Sequence, residues 1–304
     1  MTFRIVGPEG EGKLDWIALT EALAAGHARP GAAVADTLLR RGGDSLLTRS
    51  AWIDGMGVAV KAATICPGNR TRGLTAVNGA VNLFADRDGR FEALVDFTLV
   101  TKWKTAGDSL LAARRLARPD AESILIVGAG TVARSMVAAY SAAFPKARFA
   151  VWARNPDSAA AFAGETGAEP APDLEAAVRR AEIIATATMS TEPLIKGAWL
   201  QPGTHLDLIG AFRADTRETD SDCFRRARVF VDSRATTLHH IGDLMVPLAE
   251  GVITEADIQA DFYDLPSGRF ARRTAEEITL CKNGGGAHLD LMTARYILAA
   301  TGAA

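Results

Sequence analysis

A glycine-rich segment in the middle of the chain has the spacing of a dinucleotide-binding loop. Gly128, Gly130 and Ala133 follow the apolar run SILIV and open an alanine-rich stretch with helical spacing. In such a loop the first glycine permits a tight turn, the second lets a pyrophosphate approach the backbone, and the small third residue lets helix and strand pack. The N-terminus of the helix that follows attracts the phosphate charge. The segment predicts a bound dinucleotide, and a strand-to-helix turn without a ligand is the alternative.

The residues after the next apolar run distinguish the two nicotinamide dinucleotides. Loops that bind NAD place Asp or Glu about 20 residues further on, where the carboxylate accepts a hydrogen bond from the ribose 2′-hydroxyl. Here the segment AVWARNP supplies Arg154 and Asn155 and no acid. A guanidinium can pair with a 2′-phosphate through charge-assisted hydrogen bonds, whereas a carboxylate would repel it. We therefore expect NADPH as the cofactor, with NADH bound more weakly; a solvated Arg154 is the alternative.

One lysine and four histidines are further candidates for chemistry. Lys61 lies within the apolar run GVAVKAAT, where an unpaired ammonium would be costly, so a functional role is favoured over a solvated side chain. His239 and His240 are adjacent and point apart, and no carboxylate stands at metal-ligand spacing from them. We predict no metal site, and we interpret His27 and His205 as structural.

The composition excludes several classes of protein. The 304 residues carry 34 Lys+Arg against 36 Asp+Glu, and a net charge of -2 gives no electrostatic reason to expect nucleic acid as a partner. Cys66, Cys223 and Cys281 are odd in number and far apart, which argues against a disulfide framework or a zinc site. The chain has no signal-peptide pattern at its start and no apolar window approaching ~18 residues. We expect a cytoplasmic protein that has no membrane partner.

The elements that must position these residues follow two different patterns. Residues 14–25 have helical spacing, 45–53 and 57–65 alternate as strands do, and apolar runs around DRDG within 79–97 signal a hairpin. From residue 120 onward, apolar strand-like runs alternate with helical spans, which predicts a parallel sheet with crossover helices. The expected fold class is α/β: a Rossmann doubly wound parallel sheet plus a smaller α/β domain.

The length suits two domains, each able to bury its own core. The segment LARPD at 116–120 is the expected linker, because Pro119 stops the preceding helix. We therefore predict a first domain over 1–117 and a Rossmann domain over 118–288. An amphipathic helix within 289–304 is expected to return to the first domain.

The sequence resembles the ornithine cyclodeaminase/mu-crystallin family over most of its length. The segments that carry the resemblance are VKAATICPGN (60–69), KTAGDSLLAARRLARPD (104–120), VGAGTVARSM (127–136), VWARNP (151–156), TATMSTEPLI (186–195), GTHLDLIGAFRADTRETD (203–220), VFVDS (229–233) and EITLCKNGGGAHLD (277–290). The resemblance implies a first domain that supplies substrate and dimer contacts, and chemistry on α-imino acids. Activities in the family include ornithine cyclisation with loss of ammonia, alanine dehydrogenation and reduction of cyclic ketimines; a crystallin-like relative also binds hormone.

The resemblance also implies roles for individual residues. Lys61 matches the family's active-site lysine, which binds the substrate carboxylate and can transfer a proton. Lys104 stands where the family usually has arginine, so the charge is kept and the bidentate fork is lost. Arg49, on the same strand face as Leu47, substitutes for the family's other carboxylate-binding arginine. His288 lies beside NGGG, a segment that passes near the nicotinamide in the family, and is the alternative proton donor.

The expected cofactor contacts combine the glycine-rich loop with the matching family segments: Lys104, Thr105, Gly128, Ala129, Gly130, Thr131, Val132, Arg154, Asn155, Thr188 and Met189. Phe212 then selects among the family's activities. At the position that matches Phe212, ornithine cyclodeaminase has an aspartate that handles the substrate amine. A phenyl ring cannot replace that carboxylate. We expect a homodimeric enzyme that reduces a cyclic α-imino acid, Δ1-pyrroline-2-carboxylate, to L-proline. The alternatives are an ornithine cyclodeaminase or alanine dehydrogenase-like activity, or a crystallin-like protein that binds NADPH and a small ligand without turnover.

Overall fold

A computed structural model describes residues 3–302 of the chain and divides them into two compact units. The first unit contains the residues up to Lys104 together with the C-terminal segment from Gly286, and the second is Thr105–Gly285. Within residues 3–302, no helix combines the length and apolar character needed to cross a membrane.

The first unit is built on a six-stranded sheet in the order β1-β6-β5-β4-β3-β2. Strand β1 pairs in parallel with β6, and the other neighbours are antiparallel. Its strands and helices are β1 (Arg4–Val6), α1 (Trp16–His27), β2 (Ala33–Arg41), β3 (Asp44–Ile53), β4 (Gly57–Ile65), β5 (Val77–Phe84), β6 (Phe91–Asp96) and the start of α2 (Phe97–Leu116), with 3-10 helices at Pro8–Lys13 and Pro67–Arg72. The predicted helix, the two strands and the hairpin are confirmed, whereas β1 and β2 were not anticipated.

The register of this sheet places three charged residues in one row. Arg49 on β3 pairs with Asp36 on β2 at one side and with Lys61 on β4 at the other. Directly opposed residues of antiparallel strands project from the same face of a sheet. A C-terminal helix, Ala287–Ala300, contacts β3 and β4 and belongs to this unit. The sheet and this helix together position Lys61.

The second unit is built on a seven-stranded parallel sheet in the order β12-β13-β11-β10-β7-β8-β9. Its elements are β7 (Ser123–Val127), α3 (Thr131–Ala143), β8 (Arg148–Trp152), α4 (Pro156–Thr166), β9 (Glu169–Pro170), α5 (Leu174–Arg180), β10 (Ile183–Thr186), β11 (His205–Leu208), α6 (Ser221–Arg226), β12 (Arg228–Val231), α7 (Arg234–Thr237), α8 (Gly242–Ala249) and β13 (Thr279–Lys282), with 3-10 helices at Gly197–Trp199, Glu255–Asp257 and Phe262–Ser267. The alternation of strands and helices predicted from residue 120 onward is present, and the doubly wound α/β fold is confirmed.

This sheet has a topological switch point between β7 and β10. From β7 the chain continues outward through β8 and β9, and from β10 it builds the other half of the sheet. Ligands of such folds bind beyond the carboxyl ends of the strands at this crevice. The loop that starts at Gly128 and the loop after β10 therefore lie where a nucleotide is expected.

The boundary between the units lies inside helix α2 and not at the expected position after residue 117. Trp103, near the start of the helix, stacks on Trp16 of the first unit with 3.8 Å between ring centroids. Ser109, further along, donates a hydrogen bond to Asp207 of the second unit at 2.6 Å. One helix thus serves both units, which is why the proline after it does not mark the boundary.

Candidate functional site

The glycine-rich loop has the backbone that its sequence predicts. Gly128 has φ 117°, a value that disfavours any side chain, and a Cβ there would lie 2.7 Å from the carbonyl oxygen of Ala187. Gly130 is the N-cap of α3, and a Cβ added there would meet open space. Ala133 is completely buried between helix and sheet. The loop therefore leaves backbone and a helix N-terminus accessible to a phosphate group.

A cavity of about 440 Å³ opens beside this loop. Six of the predicted cofactor residues line it: Gly128, Ala129, Arg154, Asn155, Thr188 and Met189. Six others, which were not anticipated, complete the lining: Trp152, Ala153, Ser158, Ala187, Ser190 and Leu194. The other five predicted contacts, Lys104, Thr105, Gly130, Thr131 and Val132, lie outside this lining, and Gly130 and Thr131 are exposed at the start of α3.

Arg154 is exposed at this cavity. Its Nη2 donates to Oγ of Ser190 at 3.3 Å, and Ser190 in turn donates to the carbonyl oxygen of Glu192 at 2.7 Å. Asn155 accepts a hydrogen bond from the backbone of Asp157 and caps helix α4. The guanidinium is thus held loosely by a neutral partner, and its charge remains available to an anion.

A buried carboxylate that the sequence did not reveal fixes the loops after β10 and β11. Glu218 is fully buried and accepts hydrogen bonds from the hydroxyl of Thr186 (2.8 Å), from both the backbone N–H and the hydroxyl of Thr188 (2.7 Å each), and from the backbone N–H groups of Gly210 (2.8 Å) and Ala211 (3.1 Å). Because Thr188 lines the cavity, Glu218 fixes one of its walls. Its segment, ADTRETD, has no apolar periodicity that would indicate burial.

Two further buried charges surround this carboxylate. Asp243 accepts from the backbone N–H of Glu218 at 2.7 Å and forms an ion pair with Lys282 at 3.1 Å, and both partners of the pair are fully buried. Burial raises the pKa of Glu218, and Asp243 adds to this rise, whereas the Lys282 ammonium and the donors of Thr188 oppose it. Breaking such a network by removing one charge leaves the others uncompensated, which is strongly destabilising.

Lys61 in the first unit is a buried ammonium with an acidic partner. Its Nζ lies 3.0 Å from Oδ1 of Asp290 and 4.9 Å from the centre of the Phe97 ring. Burial lowers the pKa of Lys61, and the charges of Lys104 and Arg49 lower it further, whereas Asp290 raises it. Lys104 and Arg49, the other two predicted carboxylate-binding residues, therefore lie within electrostatic reach of Lys61. Asp290 was not anticipated from the sequence.

The structure gives Arg49 a partner of its own. Its Nε and Nη2 lie 2.9 and 2.8 Å from the same carboxylate oxygen of Asp36, on the neighbouring strand. Asp36 therefore balances the charge of Arg49 in this structure. Lys104 is buried near the start of α2, at the end of the first unit.

His288 is poorly suited to donate a proton. The residue is buried, and its ring meets that of His27 edge to face with 5.4 Å between centroids. Burial lowers the pKa of His288 well below its ordinary value, and the charges of His27, Lys104 and Arg49 lower it further. The imidazole is consequently neutral near pH 7, which leaves Lys61 as the stronger candidate.

The segment after β11 presents no carboxylate in the position of the family's aspartate. Phe212 stands there with 57 % of its surface exposed. Asp215, the nearest acid along the chain, is exposed and lies 2.7 Å from Nε of Arg213 in an ion pair. Within residues 3–302, no group of three or more His, Cys, Asp or Glu side chains is placed to hold a metal ion.

Comparisons with known proteins agree with the fold. A family model, the ornithine cyclodeaminase/mu-crystallin family, matches residues 50–302. The chain is 50% identical over 297 residues to a Δ1-pyrroline-2-carboxylate reductase of Paracoccus denitrificans, a match that covers 95% of this chain and 94% of the relative. It is 30% identical to the ketimine reductase mu-crystallin of Mus musculus, over 79% of this chain and 75% of the relative. A solved structure of the Thermococcus litoralis Δ1-pyrroline-2-carboxylate reductase, in complex with NADH and L-proline, superposes with a TM-score of 0.87 at 28% identity, covering 97% of this chain and 96% of that one.

Proposed function

Because the chain belongs to the ornithine cyclodeaminase/mu-crystallin family, we propose that it reduces Δ1-pyrroline-2-carboxylate to L-proline with NADPH. The protein is an NAD(P)H-dependent imine oxidoreductase, and the names of its reductase relatives support this choice of substrate. The observation that carries the proposal is Lys61, a buried ammonium with two further cations nearby. Such a cluster suits a small substrate that has a carboxylate and a basic nitrogen.

The cations of the first unit bind the substrate carboxylate. Lys61, Lys104 and Arg49 provide more positive charge than Asp290 and Asp36 balance, so an anionic ligand is favoured. Positioning the imine in this way can contribute several kcal/mol to lowering the barrier, about 7 or more in the best oriented cases. Lys104 contributes charge without a bidentate fork, so the orientation depends chiefly on Lys61 and Arg49.

The second unit binds the cofactor in the cavity beside Gly128. When bound there, the reduced nicotinamide supplies the hydride that is added to C2 of the imine. Lys61 donates the proton that the ring nitrogen gains, so that a C=N bond becomes an amine. The lowered pKa of Lys61 lies closer to neutral pH, so its ammonium is a stronger acid than that of an ordinary lysine.

The preference for NADPH rests on the cavity's polar residues. Arg154 is the ionisable residue among the described residues that line the cavity. Asn155, Ser158 and Ser190 provide neutral hydrogen-bond donors. A 2′-phosphate would gain a charge-assisted hydrogen bond from Arg154, whereas the 2′-hydroxyl of NADH would meet no carboxylate. NADPH is therefore the preferred cofactor and NADH the weaker one.

We also propose that the protein is a homodimer in the cytoplasm. Edge strand β2 exposes Val34, Leu38 and Leu39, and Trp52 on β3 is also exposed. Apolar side chains on an edge strand are a liability that a second copy of the chain would remove. The three free cysteines suit a reducing compartment.

The test uses purified protein, NADPH and Δ1-pyrroline-2-carboxylate, with loss of absorbance at the nicotinamide wavelength and appearance of L-proline as readouts. We expect the amount of NADPH oxidised to equal the amount of L-proline formed. Lys61→Met keeps bulk and removes charge, and Lys146→Met is the matched control because Lys146 is exposed in the second unit. NADPH binding without turnover on any cyclic imino acid would overturn the proposal in favour of a binding protein.

A further inference from the structure

Asp290 on the C-terminal helix is a buried carboxylate that takes no direct part in the proposed reaction. Its side chain is 1% exposed, and its Oδ1 lies 3.0 Å from Nζ of Lys61. Its second oxygen, Oδ2, is buried and has no hydrogen-bond partner among the described residues. Removing a carboxylate from water is costly unless a partner compensates it, so the ion pair with Lys61 supports the charge of both groups.

The charged groups that face Lys61 come from each element packed around it. Arg49 lies directly across on β3, Lys104 lies on α2, and Asp290 comes from the C-terminal helix. Asp36 on β2 forms its ion pair with Arg49, one strand further away. Asp290 is therefore the acid that opposes both burial and cationic repulsion at the Lys61 ammonium.

We propose that Asp290 is a positioning residue that keeps Lys61 protonated and holds its ammonium in place for proton transfer. This inference rests on the proposed function. In the step, an N–H bond of Lys61 breaks and an N–H bond forms on the imine nitrogen, while the hydride forms the new C–H bond at C2. Lys61 is left as a neutral amine and regains its proton from solvent, and Asp290 favours that return.

The sign of the pH dependence follows from these charges. Lys61 is protonated below its pKa, so a reaction that needs the ammonium loses rate as the pH rises through that pKa. Burial, Lys104 and Arg49 lower the pKa of Lys61, and Asp290 opposes them. Asp290→Asn keeps the shape and removes the opposing charge, so the pKa falls further and the loss of rate moves to lower pH.

The experiment compares kcat/KM against pH for the wild type, Asp290→Asn, Asp290→Glu and Asp36→Asn. We expect the high-pH loss of activity to move down by about one pH unit or more in Asp290→Asn, since close opposite charges shift a pKa by roughly 1–3 units. Asp290→Glu keeps the charge, so its high-pH loss of activity should occur near the same pH as in the wild type. Its kcat should fall, and its KM for NADPH should be unchanged. Asp36→Asn removes an equal charge one strand further from Lys61, beside Arg49, and should move the loss of activity less than Asp290→Asn does.

A second readout needs no turnover. The carbon NMR signal of the Lys61 side chain, assigned by its absence in Lys61→Met, reports the pKa of Lys61 directly. Superimposable pH profiles and superimposable NMR titrations for the wild type and Asp290→Asn would overturn the inference. If Asp290→Asn does not fold, a wild-type kcat in Asp290→Glu would overturn the positioning role. If the wild type reduces no cyclic imine, the proposed function fails, and the NMR titration still decides whether Asp290 controls Lys61.

Discussion

Replacing Arg154 by aspartate should reverse the proposed preference for NADPH over NADH. In the structure its guanidinium is exposed at the cavity and is held by one hydrogen bond, to Ser190 at 3.3 Å. Loss of a charge-assisted hydrogen bond to the 2′-phosphate costs about 1.5–3 kcal/mol. A carboxylate near the phosphate adds roughly 1 kcal/mol of repulsion at a water-exposed site. The sum of about 2.5–4 kcal/mol corresponds to roughly 60- to 700-fold weaker NADPH binding.

NADH should respond differently, because the new carboxylate can accept a hydrogen bond from its 2′-hydroxyl. Trp152 lines the cavity, so quenching of tryptophan fluorescence measures the Kd of both cofactors. Arg148→Asp is the matched control, since Arg148 is exposed at the other end of β8 and changes the protein's charge equally. Equal losses for NADPH and NADH in Arg154→Asp, or an Arg148→Asp variant that weakens NADPH as much, would refute the reasoning.

Three further outcomes are expected. Lys61→Ala should lower kcat by ~10²-fold or more and leave the Kd of NADPH nearly unchanged, because carboxylate positioning and proton transfer are lost together; a near-normal rate would remove its catalytic role. Ornithine should release no ammonia, because Phe212 replaces the amine-handling aspartate; a coupled ammonia assay at steady state decides this. Gly210→Ala should lose about 1–3 kcal/mol of unfolding free energy in urea, because a Cβ would lie 2.1 Å from the backbone nitrogen of Thr188. Gly164→Ala, where a Cβ meets nothing within 4 Å, should show no loss, and equal midpoints for the two variants would contradict the steric argument.

The central strands of the second unit were predictable because they are buried on both faces. All residues of β10 and all but the first residue of β7 are buried, and such strands have nearly continuous apolar runs in the sequence. Strand β2 is the opposite case. Every one of its residues is exposed, so AVADTLLRR shows no alternation of buried and exposed positions. A strand without a buried face has no periodic signal, and only its pairing with β3 reveals it.

Among the residues of the candidate site, some were also predictable from the sequence and others were not. Lys61 was identifiable because a charge within an apolar strand requires a reason. Asp290 was not, because its partner is 229 residues away and no local pattern records the pair. Glu218 was hidden for the same reason, since its donors come from the ends of separate strands. A single sequence shows where a charge is unusual and does not show what compensates it.

The first unit contains both ends of the described chain, which has a consequence for the order of synthesis. The second unit is one continuous segment, Thr105–Gly285, and all of it leaves the ribosome before the C-terminal helix does. Domains generally fold as units while the chain grows, so the dinucleotide fold can form first. Strands β3 and β4 gain their helical cover, and Lys61 its carboxylate partner, only once the helix that follows Gly286 has been made. A nascent chain can therefore hold the cofactor before it has the paired lysine.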